Sequence, residues 1–164
     1  MVVLTYGRRV AGGVAYNHMT QFQKISLFLL RISMGWLMFY AGITKVLDPA
    51  WSAAGYLKGA KTFTEFYQWL TTSDLLPFTN FMNEWGLTLL GLSLILGLFV
   101  RLSSILGALL MLLYYFPILQ FPYPNPHSFL VDEHIIYAAA LLLLGSFRVG
   151  RIWGLENLIQ KRRA

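Results

Sequence analysis

Four side chains that can exchange protons or hydrogen bonds stand near the ends of the chain's long apolar segments. Lys45 closes the first of these segments, and Glu84 opens the second. Asp132 and His134 precede the last one. Lysine and histidine can donate hydrogen bonds to a bound group, and carboxylates can relay protons to it. If the apolar segments bring these four side chains together, they form a candidate site for hydrogen bonding and proton transfer.

The first apolar segment has the length of a membrane span. It runs from Ile25 to Val46, and Arg31 is the one charge that interrupts it before Lys45. About 20 helical residues, rising ~1.5 Å each, match the ~30 Å hydrocarbon core of a bilayer. The composition agrees, since 57% of residues are hydrophobic and 12% are charged, roughly half the charged share of a soluble domain. The sequence therefore predicts a membrane protein.

Four helical spans are predicted within a single domain that takes up residues 1–164. Their bounds are about 25–47, 85–100, 102–121 and 129–147. A tight turn around residues 101–104 predicts an antiparallel hairpin, and Pro117 should kink or end the third span. The fourth crosses only if residues 129–134 extend the short apolar run that starts at Ile135. The expected fold is an all-α, four-transmembrane-helix antiparallel bundle.

The lysines and arginines indicate how these spans are oriented. One side of a four-span bundle collects most of them: Arg8, Arg9, Lys24, Arg101, Arg148, Arg151, Lys161, Arg162 and Arg163. Because cationic loops stay in the cytoplasm, we expect both termini there and a multi-pass protein of the cell membrane. The residues before Lys24 lack the apolar core of a cleavable signal peptide, so the first span is expected in the mature protein.

The segment between the first two spans, residues 48–83, is expected on the outer side and is rich in aromatic residues. Phe63, Phe66, Tyr67 and Leu70 recur at helical spacing, which predicts a short amphipathic helix lying in the interface. Two interpretations remain open at this point. The segment is either a lid over the outer mouth of the bundle or an aromatic belt that anchors the loop to lipid headgroups.

Composition and spacing exclude several classes of function. The chain has no cysteine, which removes thiol redox chemistry, disulfide relays and thiolate-bound iron–sulfur clusters. His127 and His134 are seven residues apart across a predicted loop-to-helix junction, and His18 is predicted on the opposite side, so paired haem ligation is not expected. No HExxH motif occurs. The net charge is +6, but the basic residues flank the apolar spans and do not form a patch with stacking aromatic residues. This argues against nucleic acid as a partner. No intrinsic cofactor and no metal are predicted.

The remaining intramembrane charge, Arg31, needs a partner of its own. It lies roughly two turns into the first span from the cytoplasmic side. Glu156, just beyond the fourth span, is the carboxylate expected on that side. A buried cation is stabilised by pairing, so we predict a structural ion pair between Arg31 and Glu156.

Several stretches of the chain resemble the sequence motifs of the DoxX family. The opening motif is matched by Arg31, Gly35, Phe39, Gly42, Lys45 and the Asp48-Pro49-Ala50-Trp51 that follows. The later motifs are matched by Glu84 with the glycine-rich helix Gly91 to Gly97 and Arg101, by Val131-Asp132-Glu133-His134, and by Gly150-Arg151 through Gly154-Leu155-Glu156. Residues 53–57 are similar to archaeal members, including the DoxD-type large subunit of thiosulfate:quinone oxidoreductase. The resemblance covers about residues 25–156.

This resemblance implies a four-helix membrane protein, surrounded by lipid, that works with other membrane or membrane-associated subunits of a redox or respiratory complex. A quinone is the ligand expected at the outer side chains, with Lys45 or His134 donating to its carbonyl groups and Glu84 or Asp132 relaying protons. The expected lining of the quinone pocket is Tyr40, Asp132 and Tyr137.

Three functional classes remain open from the sequence. The first is a quinone-binding subunit of an oxidoreductase, and whether it is itself an enzyme is left open. The second is a non-catalytic accessory or scaffold subunit, in which the outer charged groups only clamp helix ends together. The third is a small-solute transporter, which the lack of a clear inverted repeat disfavours.

Overall fold

A computed structural model describes residues 19–161, and within that range it contains helices and no strand. Seven α-helices are present among the described residues: α1 Gln21–Val46, α2 Ala54–Lys58, α3 Thr64–Trp69, α4 Leu76–Leu96, α5 Val100–Ile118, α6 Glu133–Ser146 and α7 Leu155–Lys161. A 3-10 turn, Val149–Arg151, joins α6 to α7. The predicted all-α class is confirmed. Several residues used above lie outside the described range: Arg8, Arg9, His18, Arg162 and Arg163.

The start of α1 is fixed by a reciprocal cap. The hydroxyl of Thr20 accepts a hydrogen bond from the backbone N–H of Gln23 at 3.2 Å. The side chain of Gln23 accepts in return from the backbone N–H of Thr20 at 2.8 Å. These two bonds satisfy donors that have no helical partner at the first turn, so α1 begins four residues before the predicted start at Ile25.

The helix predicted near residues 85–100 is longer than expected and begins earlier. α4 starts at Leu76, with Pro77 in its first turn, where the fixed φ of proline suits a helix and its missing N–H has no consequence. The polar residues Asn80 and Asn83 lie inside it. Because of these polar residues, the sequence places this part of the helix in the segment between the spans.

The turn between α4 and α5 also lies earlier than predicted. The chain reverses at Gly97–Phe99, where Gly97 (φ 67°) and Phe99 (φ 49°) both adopt left-handed backbone. The stretch 101–104, predicted as the turn, is the first part of α5. Pro117 stands in the last turn of α5, which ends at Ile118, in agreement with the prediction.

α1 packs closely along α4 because glycines lie on the shared face. A Cβ atom on Gly91 would stand 2.6 Å from the carbonyl oxygen of Gly35 and 2.6 Å from Cα of Phe39. Gly42 in turn faces the backbone of Thr88. Small residues of this kind let helix backbones approach each other in apolar surroundings. α5 packs on α4 and α6, and the core between the helices includes Met38, Leu87, Leu94, Leu141 and Leu144.

The guanidinium of Arg31 is buried at one end of the bundle, called here the Arg31 end. Its exposed fraction is 1%. Nη1 donates to the carbonyl oxygens of Val149 at 3.0 Å and Ile152 at 3.1 Å, both in the turn that follows α6. The ring of Phe28 lies 5.2 Å from the guanidinium carbon. Arg31 therefore ties α1 to the chain between α6 and α7.

Glu156 reaches the same end but does not bond directly to Arg31. Its Oε1 accepts from the backbone N–H of Val100 at 2.9 Å, and its own N–H donates to the carbonyl of Gly97 at 3.2 Å. Within residues 19–161 no direct ion pair joins Arg31 to Glu156, although the carboxylate attracts the guanidinium from further away. The predicted pairing is corrected accordingly: the guanidinium takes carbonyl acceptors, while the carboxylate ties α7 to the start of α5.

The outer surface of the long helices is strongly apolar. α1 and α5 are each long and apolar enough to cross a membrane, and α6 is a shorter apolar helix. Large apolar side chains face outward along the four long helices, among them Leu29, Trp36, Leu89, Leu109, Ile136 and Leu142. Soluble monomers rarely expose such continuous apolar surface, so this surface is suited to lipid.

Replacing Gly91 by alanine is expected to destabilise the bundle, whereas Gly86→Ala on the same helix should not. A side chain at Gly91 collides with the α1 backbone, and overpacking of this kind costs about 1–3 kcal/mol. A Cβ atom at Gly86 meets nothing within 4 Å. Thermal unfolding in detergent measures the difference. Equal Tm values for the two variants would contradict the close approach of α1 and α4.

Candidate functional site

The opposite end of the bundle, called here the Lys45 end, is covered by the segment between α1 and α4. Part of the stretch predicted as an amphipathic helix is helical as α3, whose Tyr67 is buried while Phe66 and Trp69 face outward. The segment has its own small apolar cluster, which packs against the end of α5 and consists of Ala53, Leu57, Ala60 and Tyr67 with Trp51, Leu70 and Phe116. The segment is therefore a cover docked on the bundle.

Tyrosine hydroxyls hold this cover on the last turn of α5. Pro117 has no N–H, so the carbonyl of Leu113, four residues earlier, lacks its helical donor. The hydroxyl of Tyr67 donates to that carbonyl at 2.9 Å, and the hydroxyl of Tyr56 donates to the next carbonyl along the chain. The proline that ends α5 thus exposes an acceptor that the cover uses.

Both tyrosines remain donors at neutral pH. Burial, with smaller contributions from Tyr67 and Asp132, raises the pKa of Tyr56 to about 12. Burial also raises the pKa of Tyr67. Neither hydroxyl ionises under physiological conditions, so the cover is held independently of pH in that range.

A cavity of about 420 Å³ lies between the cover and the helix ends. Its lining comes from α1, the cover, α4, α5 and α6 and consists of Lys45, Trp51, Ser52, Ala53, Tyr56, Asn83, Tyr114, Ile118, Glu133 and His134. Small-molecule sites have volumes of roughly 300–1,000 Å³. The cavity is therefore large enough for one ring-sized group.

Lys45 presents its ammonium group to the aromatic walls of this cavity. Nζ lies 5.0 Å from the ring centre of Trp51 and 5.7 Å from that of Tyr114. Glu84 attracts the ammonium electrostatically, but no carboxylate of the described residues forms an ion pair with it. Cations are stabilised over aromatic faces, and Lys45 retains its N–H donors for a group inside the cavity.

Asp132 holds His134 in a defined orientation. The carboxylate is 3% exposed and caps α6 by accepting from the backbone N–H groups of His134 at 3.0 Å and Ile135 at 3.3 Å. Its other oxygen lies 2.7 Å from Nδ1 of His134. A carboxylate on one ring nitrogen fixes the tautomer and the direction of the ring. Nε2 remains available to a group in the cavity, since no described residue bonds to it.

Tyr114 connects the parts of the site. Its hydroxyl donates to the side-chain oxygen of Asn83, and its ring meets that of His134 edge to face, with centres 6.2 Å apart. The same ring flanks Lys45. Neither Tyr114 nor Asn83 was identified from the sequence, because Tyr114 sits in an apolar run and Asn83 was placed in a loop. Their shared position at one end of two helices was the available signal.

The predicted catalytic residues lie close together. Lys45 and His134 line one cavity, with Asp132 behind the histidine. Glu84 does not line the cavity, but it is close enough to act electrostatically on Lys45.

The two tyrosines predicted to line the pocket lie elsewhere. Tyr40 is 59% exposed and stacks on Trp36, with ring centres 6.2 Å apart. Tyr137 is half-buried against the core of the bundle. Both stand on helices that contribute to the site but on other faces of those helices.

Three consecutive residues at the start of α6 have the donor types of a metal site. Ligand atoms of Asp132, Glu133 and His134 lie within 4.8 Å of one another. Both oxygens of Asp132 already accept hydrogen bonds from the helix start and from the imidazole. The group is accounted for as a helix cap that orients a histidine.

The DoxX family model matches residues 26–119 of the chain. This match covers more than half of the sequence and extends from α1 through α5. It includes Lys45, Glu84 and Tyr114, whereas Asp132 and His134 lie beyond it. No curated protein and no solved structure matches the chain.

Tyr67→Phe is expected to weaken the cover. It leaves the carbonyl of Leu113 without a donor, and an unsatisfied buried acceptor costs about 1–3 kcal/mol. Tyr40→Phe, which removes an exposed hydroxyl, is the matched control. Equilibrium unfolding in detergent and hydrogen exchange across residues 54–69 measure the effect. Unchanged stability and exchange in Tyr67→Phe would contradict the role given to this hydroxyl.

Proposed function

The chain belongs to the DoxX family, and we propose that it is a four-span membrane subunit whose Lys45 cavity binds the headgroup of a quinone. In this proposal α1, α4, α5 and α6 are the spans and the Lys45 end faces away from the cytoplasm. The chain serves a membrane redox complex of the DoxD-like kind. It supplies hydrogen bonds and a proton route, and a partner subunit supplies the electrons.

Helix lengths and charges support the four-span arrangement. α4 has 21 residues, which rise about 31 Å and can cross the hydrocarbon core alone. α6 has 14 residues, which rise about 21 Å, so in this proposal the residues before α6 complete the crossing. Four cations lie at the Arg31 end: Lys24, Arg101, Arg148 and Arg151. Cationic loops tend to remain cytoplasmic, which supports the proposal that both termini lie on that side.

The observation that carries the proposal is the meeting of Lys45 and His134 in one cavity. A quinone ring carries two carbonyl oxygens that need donors. The ammonium of Lys45 can donate to one of them. Nε2 of His134 can donate to the other when the ring is protonated, because the Asp132 carboxylate keeps the proton of the neutral ring on Nδ1. The aromatic rings of Trp51 and Tyr114 provide flat walls for a flat ring.

The same residues can deliver protons. Reduction of a quinone to a hydroquinone takes up two electrons and two protons. His134, backed by the carboxylate of Asp132, is the group suited to pass protons to an oxygen in the cavity. Glu133, which also lines the cavity and is exposed, can take up protons from the outer water.

A second candidate, a non-catalytic accessory subunit, is favoured by a different observation. Most polar groups around the cavity already bond within the chain: the hydroxyls of Tyr56 and Tyr114, and the carboxylate of Asp132. Such bonds clamp the cover to α4, α5 and α6 without any ligand. Lys45, which has no such bond among the described residues, is the group that the accessory function leaves unexplained.

Binding of a tail-less benzoquinone to the purified protein tests the proposal. Lys45→Met removes a charged donor, and a hydrogen bond to a charged group contributes about 1.5–3 kcal/mol, so we expect the affinity to fall about tenfold or more. His134→Gln should also weaken binding. Lys58→Met, an equivalent change at an exposed lysine of the cover, is the matched control and should bind as the parent does.

The outcomes separate the two candidates. Loss of binding in Lys45→Met with unchanged Tm supports the quinone site. If the parent protein binds no quinone and copurifies at fixed stoichiometry with a larger membrane complex, the quinone site is wrong and the accessory function stands.

A further inference from the structure

A second cavity, of about 380 Å³, adjoins the first. It is mainly apolar and opens to the surface, and its lining consists of Gly55, Tyr56, Gly59, Lys61, Pro117 and Ile118. Tyr56 and Ile118 line both cavities. These two side chains are therefore the partition between a polar compartment, which holds Lys45 and His134, and an apolar one.

Two glycines line the second cavity, Gly55 in α2 and Gly59 directly after α2. A Cβ atom placed on Gly55 would meet nothing within 4 Å. Gly59 has ordinary backbone (φ −81°), and Gly55 lies within a helix, so neither position needs glycine for its conformation. At Gly55 the absence of a side chain leaves open space in the lining of the second cavity, whereas a Cβ atom on Gly59 would contact the carbonyl oxygens of Gly55 at 3.5 Å and Tyr56 at 3.6 Å.

The partition is held in place by the hydrogen bonds of the cover. Tyr56 donates its hydroxyl to the carbonyl of Tyr114, which fixes the ring at the boundary. The backbone N–H of Lys61 donates to the carbonyl of Pro117 at 2.8 Å. Lys61 is exposed, so its ammonium can stay in polar surroundings while its methylene stem lines the apolar cavity.

We propose that the two cavities form one site for an amphiphile, with the polar head beside Lys45 and a long apolar chain running past Tyr56 and Ile118 into the second cavity. This inference rests on the proposed quinone site and adds the part of the ligand that the first cavity cannot contain. The apolar tail of the ligand passes over Gly55 and leaves the protein at the open side of the second cavity. The ligand class is a ring with a long alkyl or isoprenoid tail, and a membrane lipid with an acyl chain is the competing source of the same chemistry.

Photolabelling tests which residues the tail of the ligand contacts. The probe is a benzoquinone whose tail carries a diazirine on its first carbons, bound to the full chain in detergent, irradiated and mapped by peptide mass spectrometry. Label is expected on residues 54–61 and 117–118. An excess of tail-less benzoquinone should suppress it, whereas an excess of phospholipid should not.

Gly55→Leu supplies the decisive variant, because Gly55 lines the second cavity but not the first, and its added side chain is expected to occupy the second cavity. We expect labelling of 54–61 and 117–118 to fall at least tenfold, while binding of the tail-less benzoquinone stays as in the parent. Gly86→Leu is the matched control, since a Cβ atom there also meets open space but the residue lines neither cavity. Gly55→Ala, which adds the least volume, should retain most of the label and shows that the position tolerates a side chain.

Each result has one meaning. If the tail-less benzoquinone binds but the label falls on other helices, or if Gly55→Leu leaves labelling unchanged, the proposed path of the ligand's tail is wrong and the headgroup site stands. Suppression of the label by phospholipid alone identifies a lipid site and overturns the shared-ligand inference. If the tail-less benzoquinone does not bind at all, the quinone site fails and the inference fails with it.

Discussion

Burial of Arg31 is the constraint on which the rest of the bundle depends. A guanidinium inside an apolar bundle is stable only when acceptors surround it. The acceptors are the backbone carbonyls of Val149 and Ile152, in the turn that follows α6. Gly97 and Gly154 make room, since a Cβ atom on either would stand within 2.7 Å of Nη1. The height of α1 relative to the neighbouring turns is therefore fixed at this end.

A height fixed at one end of a helix determines what stands at the other. Lys45 lies about 21 Å further along α1 than Arg31, at ~1.5 Å per residue, and the glycine contacts with α4 hold the rotation of α1 between the two. The two cations then have different surroundings. Arg31 donates from Nη1 to two backbone carbonyls, whereas Lys45 stands between the rings of Trp51 and Tyr114. Arg31 stabilises the fold through its hydrogen bonds, and Lys45 lines the cavity.

The sequence identified the rare charges well and the faces of helices poorly. Lys45, His134 and Asp132 could be found because charged groups at the ends of apolar helices are uncommon and have a function or a partner. Tyr40 and Tyr137 were misplaced because the rotation of a helix that is apolar on all sides leaves no periodic pattern to read. The glycines that set this rotation, such as Gly91, act through backbone distances that composition does not reveal.

Local chemistry explains the other differences. The start of α4 was hidden because asparagines in a helix resemble a loop until their partners are known, and Asn83 finds its partner in the hydroxyl of Tyr114. Glu156 was correctly assigned to the neighbourhood of Arg31, but backbone carbonyls compete for a guanidinium, and the sequence does not show which carbonyls of the turn after α6 lie within reach of it. Pro117 leaves the carbonyl of Leu113 without its helical donor, and the cover docks there through the hydroxyl of Tyr67. Tyr67 lies far away in the sequence, so this contact could not be predicted.

Sidedness is the most direct test, because a site built from Lys45 and His134 requires the loops on either side of it to share one face of the membrane. The chain has no cysteine, so single cysteines can be introduced and labelled in intact cells with a membrane-impermeant maleimide. We expect Ser73→Cys, before α4, and His127→Cys, before α6, to react from outside, and Asn157→Cys in α7 to react only after permeabilisation. Labelling of Ser73→Cys and His127→Cys from opposite sides would contradict the shared cavity and the four-span arrangement together.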